Sequence, residues 1–376
     1  MDTTRIALKT CEWGRVDDAL LVVCDPAVQI ELEDPKGQTE TFLRVLSAGP
    51  TTRRELQQNL ADQGLTISMP DILAAVQTLD SLRLLEDPSR QSLGDPREDE
   101  RYHSNLAFFD LFASLKRSRT ELQQQLLGAH VLQLGTGGMG SSVIQHLAGL
   151  GVGHITLLDF DVIEPRNFSR QFLYRNSDIG RPKVQRAAEW LRAFDPGIRV
   201  DVVEEKVGGP SDVAALLDGV DVVSAGIDRP AAVDDWVNEA CMEACVPYVR
   251  GGVSGSRLVY FSVDPGHSPC LACIRKSEEE AAAGSAIEAS VNRLSSQLSF
   301  LNRAIGPVTG LLGSVVAFEL LRYVTRYEEP QAAGTWVTWD AANGLAQRRE
   351  PWRADPGCHL CRRARQRTAR PVEAVA

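Results

Sequence analysis

The chain has no surplus of basic charge: 40 Lys and Arg are outnumbered by 50 Asp and Glu, for a formal net charge of −10. A broad electrostatic footprint on nucleic acid or on an anionic membrane is therefore not expected. The sequence also lacks an apolar run of the length a membrane span requires, and Met1-Asp2-Thr3-Thr4-Arg5 lacks the basic-then-apolar shape of a signal peptide. The expectation is a cytoplasmic protein with no membrane partner. In that reducing compartment the eight cysteines are not expected to form disulfides, and paired spacing points to metal or catalysis instead. None of them falls between Cys273 and Cys358.

What is present is concentrated between Ala129 and Lys183. Val131 to Leu134 is the short apolar run of a buried parallel strand, and it leads into Gly135-Thr136-Gly137-Gly138-Met139-Gly140, a G-x-G-x-x-G pattern opening a helix. Gly135, Gly137, Gly138 and Gly140 let the backbone turn tightly and approach a phosphate, whose charge meets unpaired N–H groups at the positive helix end. The next apolar strand, Ile155 to Leu158, ends at Asp159, where dinucleotide-binding folds bond a ribose hydroxyl. Up to this point an oxidoreductase fits equally well. After Asp159-Phe160-Asp161, however, come Asn167, Arg170 and Gln171, and then Lys183. Hydride transfer gains little from two cations and polar amides crowded beside the phosphates, whereas attack on phosphorus builds charge that they stabilise. Further on, Asp228 follows the strand Val220 to Ser224, where a carboxylate either holds Mg²⁺ against phosphates or caps the next helix.

Strands continue to alternate with helices, including Val184 to Phe194 and the strand Arg199 to Val203. The fold class expected is therefore α/β: a Rossmann-like, mostly parallel sheet with helices on both faces and the ligand at the carboxyl ends of its strands. Ahead of it, residues 1–87 read as a small winged-helix-like α+β domain, and the polar, proline-bearing residues 88–100 as a linker to a domain over 101–376. In the small domain Ala19 to Val23 and Val28 to Leu32 are β-like, and the second alternates as a half-exposed strand does. Thr52-Arg53-Arg54-Glu55 reads as a capping box, and Ile72, Ala75, Leu79 and Leu82 share helical spacing. Its basic residues are balanced by Glu40, Glu55, Asp62, Asp71, Asp80 and Glu86, which argues against a DNA-binding module.

Pro269-Cys270-Leu271-Ala272-Cys273 and Gly357-Cys358-His359-Leu360-Cys361 offer four thiolates in two knuckles, the spacing of a tetrahedral, closed and hence structural Zn²⁺ site. A redox pair is the alternative. Cys241 and Cys245 lie one helical turn apart on an apolar face and read as small core residues. Gly306 to Tyr323 reads as a buried helix, and Glu278 to Ala289 with the polar stretch to Asn302 as a lid.

Jointly, the glycine loop, Asp159, the Asn167/Arg170/Gln171 cluster, Lys183, Asp228 and the cysteine pairs resemble the E1-like adenylyltransferases, which activate the C-terminus of a protein or peptide with ATP. The resemblance runs from about Arg101 to Cys361. It is nearest to the peptide-modifying branch exemplified by the microcin C7 enzyme, through Val223 to Asp228 and Asp235 to Asn238. It implies ATP and Mg²⁺ as cofactors, with Arg170, Lys183 and Asp228 catalytic and the glycine loop, Asp159, Asp161, Asn167 and Gln171 binding nucleotide. It further implies a homodimer, and a leader-recognition module that takes the precursor peptide as an added strand. Ser104 stands where the family's usual second arginine lends itself to the partner subunit, and Arg229 where sulfur-carrier activators usually have asparagine. The cysteine that accepts the adenylated C-terminus in ubiquitin-like activators is missing too. An activator of a sulfur-carrier protein is thus the runner-up reading, and a non-catalytic, peptide-presenting partner of a cyclodehydratase the third.

Overall fold

The computed structural model describes residues 4–283, 285–296 and 302–369, and the chain divides into two compact units, Met1–Gln124 and Gln125–Ala376. Residues 297–301 of the expected lid, residue 284 and the first three residues lie outside the described residues.

The first unit holds β1 (Arg5–Leu8), β2 (Glu12–Val16), β3 (Ala19–Asp25), β4 (Val28–Glu33), α1 (Gln38–Ser47), β5 (Thr51–Thr52), α2 (Arg53–Asp62), α3 (Met69–Ser81) and β6 (Leu85–Glu86). Two short helices, α4 (Pro96–Arg101) and α5 (His103–Asp110), follow, and α6 (Arg119–Gly128) runs across the division between the units. Antiparallel pairing gives two sheets of three strands, β2-β3-β4 and β5-β1-β6. Strand alternation sends Leu20 and Val22 of β3 into a core with Phe42, Leu43, Leu46, Leu56, Leu60 and Ile72, while Gln29, Glu31 and Glu33 of β4 stay exposed. The capping box is formed: Thr52 Oγ1 accepts from Glu55 N at 3.2 Å and Glu55 Oε2 from Thr52 N at 2.8 Å. Buried Lys9 donates to the Asp110 and Ala113 carbonyls at 2.6 and 3.1 Å, tying β1 to the end of α5.

The second unit carries β7 (His130–Leu134), α7 (Gly138–Leu150), β8 (His154–Leu158), α8 (Lys183–Phe194), β9 (Arg199–Val203), α9 (Pro210–Ala214), β10 (Val222–Ala225), α10 (Val233–Ala244), β11 (Tyr248–Ser254) and β12 (Arg257–Val263). Then come α11 (Leu271–Ala283), α12 (Ala286–Ser296), α13 (Gly306–Thr325), β13 (Thr335–Asp340), β14 (Ala346–Pro351) and α14 (His359–Thr368). One eight-stranded sheet runs in the order β14-β13-β12-β11-β10-β7-β8-β9. Strands β7 to β11 are mutually parallel and β12 to β14 antiparallel, so the sheet is mostly parallel as expected. The chain walks outward from β7 to β9, then returns to the other side of β7 with β10. That reversal opens a crevice between the carboxyl ends of β7 and β10, in register at Leu134 and Ala225.

Helices cover both faces, as adjacent residues of β11 demonstrate. A Cβ at Gly251 would meet Met139 of α7 and Val316 and Leu312 of α13, whereas Arg250 on the opposite face bonds Asp234 of α10. One expectation is corrected. Helix α13 is by length and composition apolar enough to cross a bilayer; its 20 residues serve instead as a packed core helix, with 61% of its apolar window buried. Glu319, fully buried within it, accepts hydrogen bonds from Ser262 Oγ and from the Ala332 and Gln331 amides at 2.8, 2.7 and 3.0 Å.

Candidate active site

The glycine loop occupies the end of β7 and the start of α7, and its conformation explains its composition. Gly135 has φ +86°, a region L residues avoid, and a Cβ at Gly140 would lie 2.0 Å from the Gly135 carbonyl oxygen. The turn is held from three sides. Asp159, buried at the end of β8, accepts from Thr136 N and Thr136 Oγ1 on Oδ2 at 2.7 and 2.8 Å, and from Asp161 N on Oδ1 at 2.9 Å. Tyr174 donates its hydroxyl to the Thr136 carbonyl at 2.7 Å, and burial pushes its pKa upward, keeping it a donor. Gln133 Nε2 donates to the Gly135 carbonyl at 2.8 Å.

Around this loop the structure gathers the residues singled out in the sequence. Arg170 lies across Gly138, whose Cβ position is 3.3 Å from Arg170 Cδ, and its Nη1 donates to the Arg166 carbonyl at 3.1 Å. Burial, and then the like charge of Arg166, hold its pKa below the ordinary arginine value, while Asp228 pulls the other way. Asp228 itself is exposed, three residues beyond the end of β10. Lys183, buried at the start of α8, donates from Nζ to Asp161 Oδ2 at 2.7 Å. Asn167 is buried and accepts from Glu164 N on Oδ1 at 2.9 Å. Gln171 is buried beside Gly137 with no hydrogen-bond partner for Oε1. Such an orphaned acceptor is costly unless a donor arrives, and a nucleotide carries donors in its ribose hydroxyls and exocyclic amine. Asp159 Oδ1, with one bond made, keeps a lone pair for the same purpose.

The cysteines form a second centre. The Sγ atoms of Cys270, Cys273, Cys358 and Cys361 all lie within 4.8 Å of one another, and all four residues are buried. The Cys270–Cys358 and Cys273–Cys361 separations are 3.7 and 3.6 Å, far beyond a disulfide bond. A tetrahedron with Zn–S near 2.3 Å has edges of about 3.8 Å, so the residues fit zinc. Asn238 Oδ1, accepting from Leu271 N at 2.9 Å and Tyr248 OH at 3.1 Å, fixes the first knuckle against α10. Asp355 accepts from Gly357 N and from Lys276 Nζ, both at 3.0 Å, joining the second knuckle to α11.

Sequence reasoning missed Thr136 and Tyr174 at the nucleotide end, and Arg250 in the strand beside β10. Tyr174 reaches the loop from 38 residues away, and no local pattern announces it. Arg250, in β11, donates from Nε to Asp234 Oδ1 at 2.6 Å.

A Rossmann sheet with a glycine loop at its reversal point, two cations and carboxylates around that loop, and a four-cysteine clamp behind it define an E1-like adenylyltransferase. The chain belongs to the ThiF family, whose model matches residues 102–360. It is 32% identical over 241 residues to the molybdopterin-synthase adenylyltransferase of Escherichia coli (strain K12), covering 64% of this chain and 89% of that protein. The molybdopterin-synthase adenylyltransferase of Salmonella typhimurium is 31% identical over 244 residues, covering 64% and 90%. In fold the chain is similar to E. coli MccB, solved with AMPCPP and selenomethionine-labelled MccA, at a TM-score of 0.73 and 20% identity over 95% of this chain and 99% of that one.

Proposed function

We propose that this protein uses ATP to adenylate the C-terminal carboxylate of a ribosomally made precursor peptide. The observation that carries the reading is the extent of the likeness: similarity to the molybdopterin-synthase activators covers 64% of the chain, whereas similarity to MccB extends over 95% and so includes the N-terminal unit. A carboxylate oxygen attacks the α-phosphorus, the bond to the β-phosphate bridging oxygen breaks, and pyrophosphate leaves with that electron pair. The glycine-loop amides receive phosphate oxygens, and Arg170 and Lys183 stabilise the charge that grows in the transition state. Asn167 and Gln171 orient phosphate or carboxylate through their side-chain N–H groups, Asp159 the ribose, and Asp161 and Asp228 flank the phosphates. Mg²⁺ at Asp228 would neutralise the departing pyrophosphate. Zn²⁺ on the four cysteines would clamp the C-terminal helix without touching substrate. The functional unit is a homodimer.

The winged-helix-like module, residues 1–87, takes the leader of the precursor, within its stretch 18–87. Strand β4 is an edge of its sheet, with Gln29, Glu31 and Glu33 exposed, and strand addition there needs only main-chain partners. Titration of the full chain with leader peptide is expected to show saturable binding, and with duplex DNA none. DNA binding that weakens steeply with salt, without peptide binding, would reverse the assignment.

An activator of a ubiquitin-like sulfur carrier is the second reading, because a relative 29% identical over 249 residues is a sulfur carrier protein adenylyltransferase of E. coli, but this chain has no cysteine between Cys273 and Cys358. The decisive experiment incubates enzyme, ATP and precursor peptide and follows nucleotide and peptide masses. AMP and pyrophosphate with no enzyme-linked intermediate are expected. ADP as product, or a peptide thioester on the enzyme, sinks the mechanism.

A further inference from the structure

Arg250 is a cation at the edge of the nucleotide crevice that none of the nucleotide-binding roles uses. It sits in β11, paired in register with Ala225, the last residue of β10, whose chain then continues through Gly226 and Ile227 to Asp228. Its side chain is only 13% exposed. Nε is committed to Asp234 Oδ1 at 2.6 Å, and Nη1 turns back to the Gly251 carbonyl and toward the Ala225 carbonyl at 3.5 Å. Among the described residues Nη2 has no hydrogen-bond partner and is not fully buried, so it opens to solvent. The guanidinium is therefore held rigidly by two of its nitrogens and presents the third. A helix-to-strand strut needs only the Nε contact, and lysine or glutamine could supply a similar one. A planar fork with an unspent N–H pair is what carboxylate recognition uses.

Resting on the adenylation reading, we propose that Arg250 is a specificity-determining residue for the acceptor: Nη2 receives one oxygen of the substrate's terminal carboxylate. The arginine then selects a free C-terminal acid over a capped one before any chemistry occurs, and Asp234 is the positioning residue that aims it. The crevice lies between β7 and β10, one strand from β11, and Arg250 stands in register with Ala225, from which the chain runs on to Asp228. No bond forms or breaks at this residue.

The test uses the full-length enzyme with AMPCPP and two synthetic heptapeptide libraries randomised at the last two positions, one ending in the free acid and one in the C-terminal amide. Wild type is expected to retain acids over amides by about 10- to 100-fold, the discrimination a charge-assisted hydrogen bond supplies. Arg250→Met should bring the ratio close to 1 while leaving AMPCPP affinity and melting temperature near wild type, and Arg250→Lys should restore part of it. Asp234→Asn should weaken it less than Arg250→Met. If Arg250→Met keeps the wild-type ratio, Arg250 is only a strut and the proposal fails, even where wild type carries out acid-dependent pyrophosphate exchange. If wild type shows neither discrimination with AMPCPP nor, with ATP in its place, pyrophosphate exchange with either library, the adenylation reading falls and this inference with it. Should Arg250→Met not fold, the acid-to-amide ratio of folded Arg250→Lys decides: an unchanged wild-type value overturns the proposal.

Discussion

At the carboxyl ends of β7, β8 and β10 polar groups are left unfinished, whereas at the cysteine cluster all four thiol-bearing residues are enclosed. Gln171 Oε1 is buried without a partner, Arg170 is half-desolvated beside Arg166, and Asp228 stands exposed. By contrast Cys270, Cys273, Cys358 and Cys361 are all buried, and the residues around them, Asn238 and Asp355, each accept two hydrogen bonds. The difference teaches how to read a polar cluster. A site meant to be entered keeps donors and acceptors waiting, at a cost in stability, while a site meant only to hold the fold satisfies them internally.

The comparison can be broken in order of effect. The largest change is expected at the closed centre: metal-replete protein should contain one zinc per chain, with a binding free energy on the order of 10 kcal/mol coupled to folding. Cys358→Ser should lose that zinc and lower the melting temperature markedly. Elemental analysis and calorimetry check this, and an unchanged zinc content in Cys358→Ser would remove the structural-metal assignment. At the open centre, Asp228→Ala, Arg170→Ala and Lys183→Ala should leave the fold intact while slowing peptide-dependent pyrophosphate release by about 10²–10³-fold each, on the order of 3–4 kcal/mol. On the proposed reading Asp228→Ala should fall furthest, since it would lose Mg²⁺ as well as a charge. A variant that melts early but turns over normally would show that the residue belongs with the structural set. The smallest effect is expected for Cys241→Ser, a residue buried in α10: about 1–3 kcal/mol of stability for an unsatisfied hydroxyl and no change in turnover per folded enzyme.

Both centres were legible in the sequence to different depths. The glycine loop and the two knuckles are local patterns whose spacing alone forces a conformation, so Gly135 to Gly140 and the four cysteines fall together as the sequence implied. The parts that hold them were not legible. Asp159 reads as a ribose contact, yet its visible work is to clasp Thr136, 23 residues earlier. Asn238 joins α10, β11 and the first knuckle through three chain segments, and Arg250 finds Asp234 only because β11 lies beneath α10. In the N-terminal unit the run that becomes β4 alternates visibly, while the run that becomes β3 is continuously apolar. Strands β5 and β6, two residues each, are too short for any periodicity and exist only because β1 lies between them.

Cys270 and Cys358 stand 88 positions apart, which would give a bound metal a role in the unfolded chain as well. A metal that joins the knuckles closes a very long loop, and by the chain-entropy relation such a crosslink withholds about 4–5 kcal/mol of disorder from the denatured ensemble, for as long as it stays bound there. A metal retained by the unfolded chain would thus act on the state in which the nucleotide crevice does not exist, narrowing the conformations that Arg170, Lys183 and Asp228 must abandon before they can meet around the loop.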